Sequence, residues 1–152
     1  MRLVVGSDHA GFDLKQLLAD HLTSAGHDVV DVGTDDTTSV DYPDYGAAVG
    51  RAVVTGRAEL GVAVCGSGIG MAIAANKVPG VRAATVHDVT SARLSREHND
   101  ANVVCFGQRF TGPQVALDAL DAFVACEFQG GRHASRVAKI EALESTGPVV
   151  AD

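Results

Sequence analysis

Cys65 stands where the apolar run Val62-Ala63-Val64 stops and a glycine-rich turn, Gly66-Ser67-Gly68-Ile69-Gly70, begins. An alanine-rich helical segment follows and ends near Asn76. Backbone N–H groups in such a turn, and the positive end of the helix behind it, favour a negative sulfur and an anionic ligand. A thiol so placed suits proton transfer or nucleophilic chemistry on an anionic substrate. Arg132 and Arg136 are spaced four apart, which puts both guanidinium groups on one face of a helix. Two such forks make a phosphate clamp, although a solvated basic edge gives the same pattern. Asp8 with His9, His87 with Asp88, and His98 with Asp100 are further candidates for acid–base or metal chemistry. None of them has HExxH-like spacing, so a divalent metal is not expected.

Positioning these groups falls to short apolar runs that alternate with helical patterns. Strands are predicted from Arg2 to Gly6, Asp28 to Val32, Leu60 to Val64, Ala83 to Val86 and Asn102 to Phe106. A helix from Phe12 to Ala25 carries Leu14, Leu17, Leu18 and Leu22 on one face and stops at Gly26. Others are predicted from Asp44 to Thr55, Val89 to His98, Pro113 to Cys126 and Arg132 to about Glu144. Strands buried on both faces and separated by helices imply one doubly wound, Rossmann-like α/β domain. It has a five-stranded parallel sheet with helices on both faces. Ligands of such sheets sit beyond the carboxyl ends of the strands, where Asp8, His9, Cys65 to Gly70, His87 and Asp88 fall. The domain is expected over residues 1–144, with a polar tail at 145–152. Its last helix follows two glycines, has no strand after it, and can pack on a partner subunit.

The 152 residues are 46% hydrophobic and 20% charged, which suits one domain with a substantial core. Only 5% are aromatic, against 17 glycines, so Val and small residues must fill the interior. A formal net charge of −7 is the opposite of a nucleic-acid binder's footprint. Any phosphate site must then be a local cluster of Arg or His. Cys65, Cys105 and Cys126 form no CxxC pair, which argues for a reducing compartment and against disulfides or structural zinc. Cys105 and Cys126 read as small core residues, and His21 and His27 as structural or surface ones. No apolar run approaches a membrane span, and Met1 leads directly into the first strand, so a cytoplasmic protein is expected. The glycine turn is no dinucleotide fingerprint: the third glycine would fall on Met71 or Ile73. Asp88, twenty residues after Gly68, leaves a nicotinamide cofactor as a weak match only. A P-loop fails because no GK[ST] occurs.

Several segments nevertheless occur in a telling order. They are Gly6-Ser7-Asp8-His9-Ala10-Gly11, Asp41-Tyr42-Pro43-Asp44, Cys65-Gly66-Ser67-Gly68-Ile69-Gly70, Ala74-Ala75-Asn76-Lys77 and Ser95-Arg96-Glu97-His98-Asn99-Asp100. With Gly130-Gly131-Arg132-His133 they resemble the type B ribose-5-phosphate isomerase family, which includes related galactose-6-phosphate isomerases. The resemblance runs from Arg2 to about Glu144, and all its motifs stand in register.

The resemblance implies an aldose–ketose isomerase, without metal or cofactor, that interconverts ribose 5-phosphate and ribulose 5-phosphate through a cis-enediolate. Carried onto the matching residues, Cys65 would be the base that moves a proton between C2 and C1. Gly66, Gly68, Ile69 and Gly70 would supply backbone donors to the enediolate oxygen, with Ser67 adding its hydroxyl. His98, helped by Asp8, would open the furanose ring, and Asn99 would hold sugar hydroxyls. His9, Arg132 and Arg136 would hold the phosphate, with Arg109 as a further substrate contact. The family's site lies between subunits, which implies a homodimer or homotetramer. Some members carry a carboxylate six residues after the cysteine position; Met71 stands there, which places this chain with the cysteine-using branch. Base and oxyanion donors within one short turn agree with that chemistry. Two other readings remain at this stage: an isomerase of a tetrose or hexose phosphate, and a non-catalytic sugar-phosphate or nucleotide sensor on the same fold. Intact Cys65, Asp8 and His98 favour the catalyst, since binding alone needs no base.

Overall fold

The computed structural model describes residues 1–145. Five parallel strands, β1 (Arg2–Ser7), β2 (Asp28–Asp31), β3 (Leu60–Cys65), β4 (Ala83–Thr85) and β5 (Val103–Gly107), pair in the order β2-β1-β3-β5-β4. Six α-helices connect and flank them: α1 (Phe12–Ser24), α2 (Tyr42–Val54), α3 (Ile69–Ala75), α4 (Val89–Asn99), α5 (Pro113–Ala125) and α6 (Ala134–Ser145). This is the doubly wound, Rossmann-like α/β fold the apolar pattern predicts. β3 and β5 are buried at every position because both sheet faces are covered.

Period-two alternation divides the core between those faces. Leu3, Val5, Val62, Val64, Val104 and Phe106 pack with Leu14, Leu18, Leu22, Leu120 and Phe123 under α1 and α5. Val4, Ala63, Cys65, Val103 and Cys105 point the other way, onto Val49 of α2 and Met71 of α3. This second face is built from smaller side chains. A Cβ on Gly46 would stand 3.0 Å from both the Ala74 Cβ and the Met71 carbonyl oxygen, so its absence lets α2 seat directly on α3.

Several expected boundaries shift, each for a local reason. α2 begins at Tyr42 rather than Asp44 because Pro43 fits the first helical turn. Leu17 leaves the buried face of α1 and is 38% exposed, while Lys15 joins it with no exposure at all. The Lys15 ammonium pairs with Asp31 Oδ2 at 2.6 Å and donates to the Thr34 carbonyl at 2.7 Å, which satisfies a charge otherwise costly to bury. The last helix breaks in two: a 3-10 turn, Gly131–His133, precedes α6. Arg132 and Arg136 therefore do not share one α-helical face. Ser145 belongs to α6 rather than to a tail, and residues 146–152 of the expected tail lie outside the described ones. Among the described residues no helix is long and apolar enough to cross a membrane.

Among the described residues edge strand β4 pairs only with β5, and Asn76 blunts its other side. The Asn76 amide donates to the Ala83 carbonyl at 2.9 Å and accepts the Ala83 N–H at 2.8 Å, standing in for a further strand. Asn76→Ala strands both backbone groups. It is expected to cost about 1–2 kcal/mol, read as a lowered urea midpoint at unchanged slope.

Candidate active site

Cys65 is the last residue of β3, held by pairing with Gly107 of β5. Its side chain is only 5% exposed, and the Gly68 N–H donates to Sγ at 3.1 Å, which fixes the sulfur against the turn. Gly68 reaches this position with φ +77°, and a Cβ there would stand 2.8 Å from the Phe106 carbonyl carbon, so only glycine serves. Among the described residues nothing accepts from the N–H groups of Gly66, Ser67 or Gly70, whereas the Ile69 N–H is engaged by Ser67 Oγ at 3.3 Å. The turn therefore offers unspent donors beside the thiol. α3 is a single short helix of seven residues, so an anionic ligand over the turn would meet these local N–H groups rather than a long helix dipole.

A cleft of about 490 Å³ opens over this turn and is lined by Asp8, His9, Cys65, Gly66, Ser67 and Arg109, among others. Asp8 Oδ1 accepts from Ala10 N at 2.9 Å and Gly11 N at 3.0 Å, which caps the 3-10 turn His9–Gly11 and fixes the carboxylate. Among the described residues Oδ2 has no partner and remains for a ligand. His9 Nδ1 accepts the Val40 N–H at 3.1 Å, so its ring proton resides on Nε2, a donor suited to an anion. The Arg109 guanidinium lies beside the turn, within 3.2–3.3 Å of where a Gly66 Cβ would be. Gln108 holds the Arg109 loop in place: its N–H reaches the Cys65 carbonyl at 2.9 Å, and its Oε1 accepts from Leu14 N at 2.9 Å. Tyr42, Ile69 and Ile73 line the same cleft and remain 43%, 55% and 58% exposed, an apolar rim around a polar site.

The second group lies elsewhere. α4 leaves the carboxyl end of β4 and runs back for eleven residues, roughly 16 Å, before β5 begins. His98 and Asn99, in its last turn, thus lie at the amino end of the sheet, opposite Cys65. Asn99 lines a separate cleft of about 500 Å³ with Arg82, Ala101, Ile140 and Leu143. His98 stacks on His133, with ring centroids 4.2 Å apart and planes 8° from parallel. Burial holds the His133 pKa below the usual histidine value, and the adjacent His98, Arg132 and Arg136 push it the same way. Despite the broken helix, both arginines therefore lie near enough to His133 to act on its charge, Arg132 with its Nε 3.5 Å from His133 Nε2. Among the described residues neither meets a carboxylate, whereas Arg82, Arg93 and Arg96 are all paired.

Some candidates are spent on structure. Asp88 caps α4 in a reciprocal box with Ser91, and the Ser91 N–H holds its carboxyl below the usual range. Asp100 closes α4 at φ 46° and pairs with Arg82 and Arg96. His21 bridges α1 to Asp121 of α5 at 2.6 Å. Cys105 is fully buried, and burial pushes its thiol strongly up, as befits a core residue. Cys126 caps α5 and is half-buried. Sequence reasoning gave no role to Tyr42 or His133. Both stand inside the quoted motifs, but nothing in their spacing reveals a ring over Gly70 or a stack on α4.

The fold and the glycine-turn thiol together define a Rossmann-like domain with a candidate acid–base site at the carboxyl end of its sheet. The profile of the ribose/galactose isomerase family matches residues 3–140, and the chain belongs to that family. It is 43% identical to ribose-5-phosphate isomerase B of Escherichia coli, over 94% of this chain and 96% of that one. It is 40% identical to D-erythrulose-4-phosphate isomerase of Pectobacterium atrosepticum, over 92% and 93%. The solved ribose-5-phosphate isomerase B of Clostridium thermocellum superposes with a TM-score of 0.94 at 50% identity, covering 95% of this chain and 98% of that one.

Proposed function

We propose that this enzyme interconverts D-ribose 5-phosphate and D-ribulose 5-phosphate through a cis-enediolate, in a site assembled from two copies of the chain. The observation that carries the reading is the buried Cys65 thiol beside unspent backbone donors in a cleft that also holds an imidazole and a guanidinium. In the aldose direction His98, with Asp8 Oδ2, moves the protons that open the furanose. Cys65 takes the C2 proton as a thiolate, and the electron pair passes to the carbonyl oxygen at C1. Donors from Gly66, Ser67 and Gly70 meet the oxyanion, which must supply much of the acceleration because a thiolate is a modest base. Cys65 then delivers a proton to C1, while the C2 hydroxyl proton passes to the C1 oxygen as the C2 carbonyl forms, so atoms balance without an external oxidant.

The separation of His98 and Cys65 across the sheet supports a second subunit: one chain supplies the thiol, and its partner supplies His98, Asn99, Arg132 and Arg136. A homodimer is then the smallest active unit. Across that interface Arg132 and Arg136 of one chain would join Arg109 and the His9 Nε2–H of the other, a local anion site in a chain of net charge −7, as a phosphate requires. The free thiols of Cys65, Cys105 and Cys126 suit a reducing, cytoplasmic setting. Arg136→Ala is expected to raise KM for the phosphorylated sugar by about tenfold or more, with little effect on the unphosphorylated one. Steady-state kinetics on both sugars checks this, and equal effects refute the phosphate role.

The test of the whole reading is conversion of ribose 5-phosphate in the presence of EDTA, beside tetrose and hexose phosphates. Efficient turnover of the pentose is expected. Preference for a four-carbon substrate would keep the mechanism and move the assignment, a second reading favoured by the 40% identity to D-erythrulose-4-phosphate isomerase. Silence on all three sugars overturns the reading.

A further inference from the structure

His98 makes no side-chain hydrogen bond among the described residues, yet its ring is not loose. Its one directed contact is the face of His133, parallel to within 8° at 4.2 Å. His133 is 8% exposed and is the only buried residue of its turn, which the double glycine before it shapes with φ values of 62° and 55°. A working imidazole is ordinarily oriented by a hydrogen bond to its second nitrogen. Here stacking replaces that bond and leaves both His98 nitrogens available.

We infer that His133 is a positioning residue for His98: its flat face sets the angle at which His98 meets the sugar ring. The inference rests on the assignment of His98 to ring opening. Face-to-face imidazoles tolerate at most one positive charge, and the surroundings of His133 keep it neutral. Arg132 Nε lies 3.5 Å from His133 Nε2, so that nitrogen faces a donor and holds its lone pair toward it. Arg136 adds a second positive charge from α6, and His98 faces it from α4. The remaining charges near this end of α4 neutralise one another, as Arg93 with Glu97 and Arg96 with Asp100. Burial and these neighbours hold the His133 pKa below the ordinary histidine value, so the stack persists at neutral pH. Since Arg132, His133 and Arg136 share one segment, seating a phosphate there and aligning His98 are a single event.

The test separates ring opening from enolisation. Ribulose 5-phosphate cannot close a furanose because its C5 oxygen is esterified, so solvent deuterium exchange at its C1 needs the thiol but no ring chemistry. His133→Ala is expected to slow isomerisation from ribose 5-phosphate by about tenfold or more while C1 exchange stays within about twofold of wild type. His133→Phe keeps a flat face and is expected to recover most of the loss. Circular dichroism and thermal melts verify that both variants are folded. Unchanged isomerisation in His133→Ala, an equal fall in exchange, or a phenylalanine variant as slow as the alanine one overturns the inference. Wild-type protein that neither isomerises nor exchanges, or His98→Ala at wild-type rate, instead sinks the assignment on which it rests.

Discussion

Cys65→Ala is expected to reduce isomerisation by about 10³-fold while the chain stays folded and still binds phosphate. The base is gone, but the donors of Gly66, Ser67 and Gly70 lie on the backbone and remain. The lost sulfur leaves the Gly68 N–H without its acceptor, a cost of about 1 kcal/mol. Cys65→Ser separates the two effects. A hydroxyl still accepts from Gly68, so stability returns, but an unassisted hydroxyl does not ionise near neutrality and turnover stays low. Initial rates, urea midpoints and calorimetric titration with inorganic phosphate read the three quantities independently. Activity near wild type in the alanine variant would remove Cys65 from the mechanism.

Mixing two dead variants should restore activity, which is the sharper test of where the site is. Cys65→Ala and His98→Ala are each expected to be inactive alone. In a mixed dimer, the intact thiol of one chain meets the intact histidine of the other, and the second site lacks both groups. Random reassortment makes half the dimers mixed with one working site each, so roughly a quarter of wild-type activity returns. Co-refolding the variants from denaturant, followed by a rate measurement, gives the number. A site contained in one chain would leave the mixture dead, because no single chain carries both residues. The expectation comes from distance: α4 runs roughly 16 Å back along the sheet, and His98 ends up at the amino end while Cys65 marks the carboxyl end.

Much of this was legible in the residues because it is local. Alternating apolar runs and helical patterns name five strands and six helices, since side-chain period depends only on neighbours along the chain. The setting of Cys65 was legible for the same reason: thiol, glycines and donors lie within one turn. The place of Asp8 and His9 just after the first strand belongs to this class, whereas the capping of the following turn by Asp8 Oδ1 came from the structure.

Tertiary structure decided what separated segments do to each other. The order β2-β1-β3-β5-β4 brings β5 beside β3, and only that adjacency carries Arg109 to the Cys65 turn. Packing, not spacing, withdrew Leu17 from the core and buried Lys15, because Asp31 and Thr34 from another strand and loop wait for its ammonium. The same contacts settled which acids are engaged: Asp88 and Asp100 are consumed by a helix cap and by arginines, while Asp8 keeps one oxygen without a partner among the described residues. The stack of His133 on His98, and the distance of both from Cys65, are invisible to any local pattern. They follow from the length and direction of α4 and from a chain that turns back at Gly130 and Gly131, geometry that exists only once the sheet has assembled.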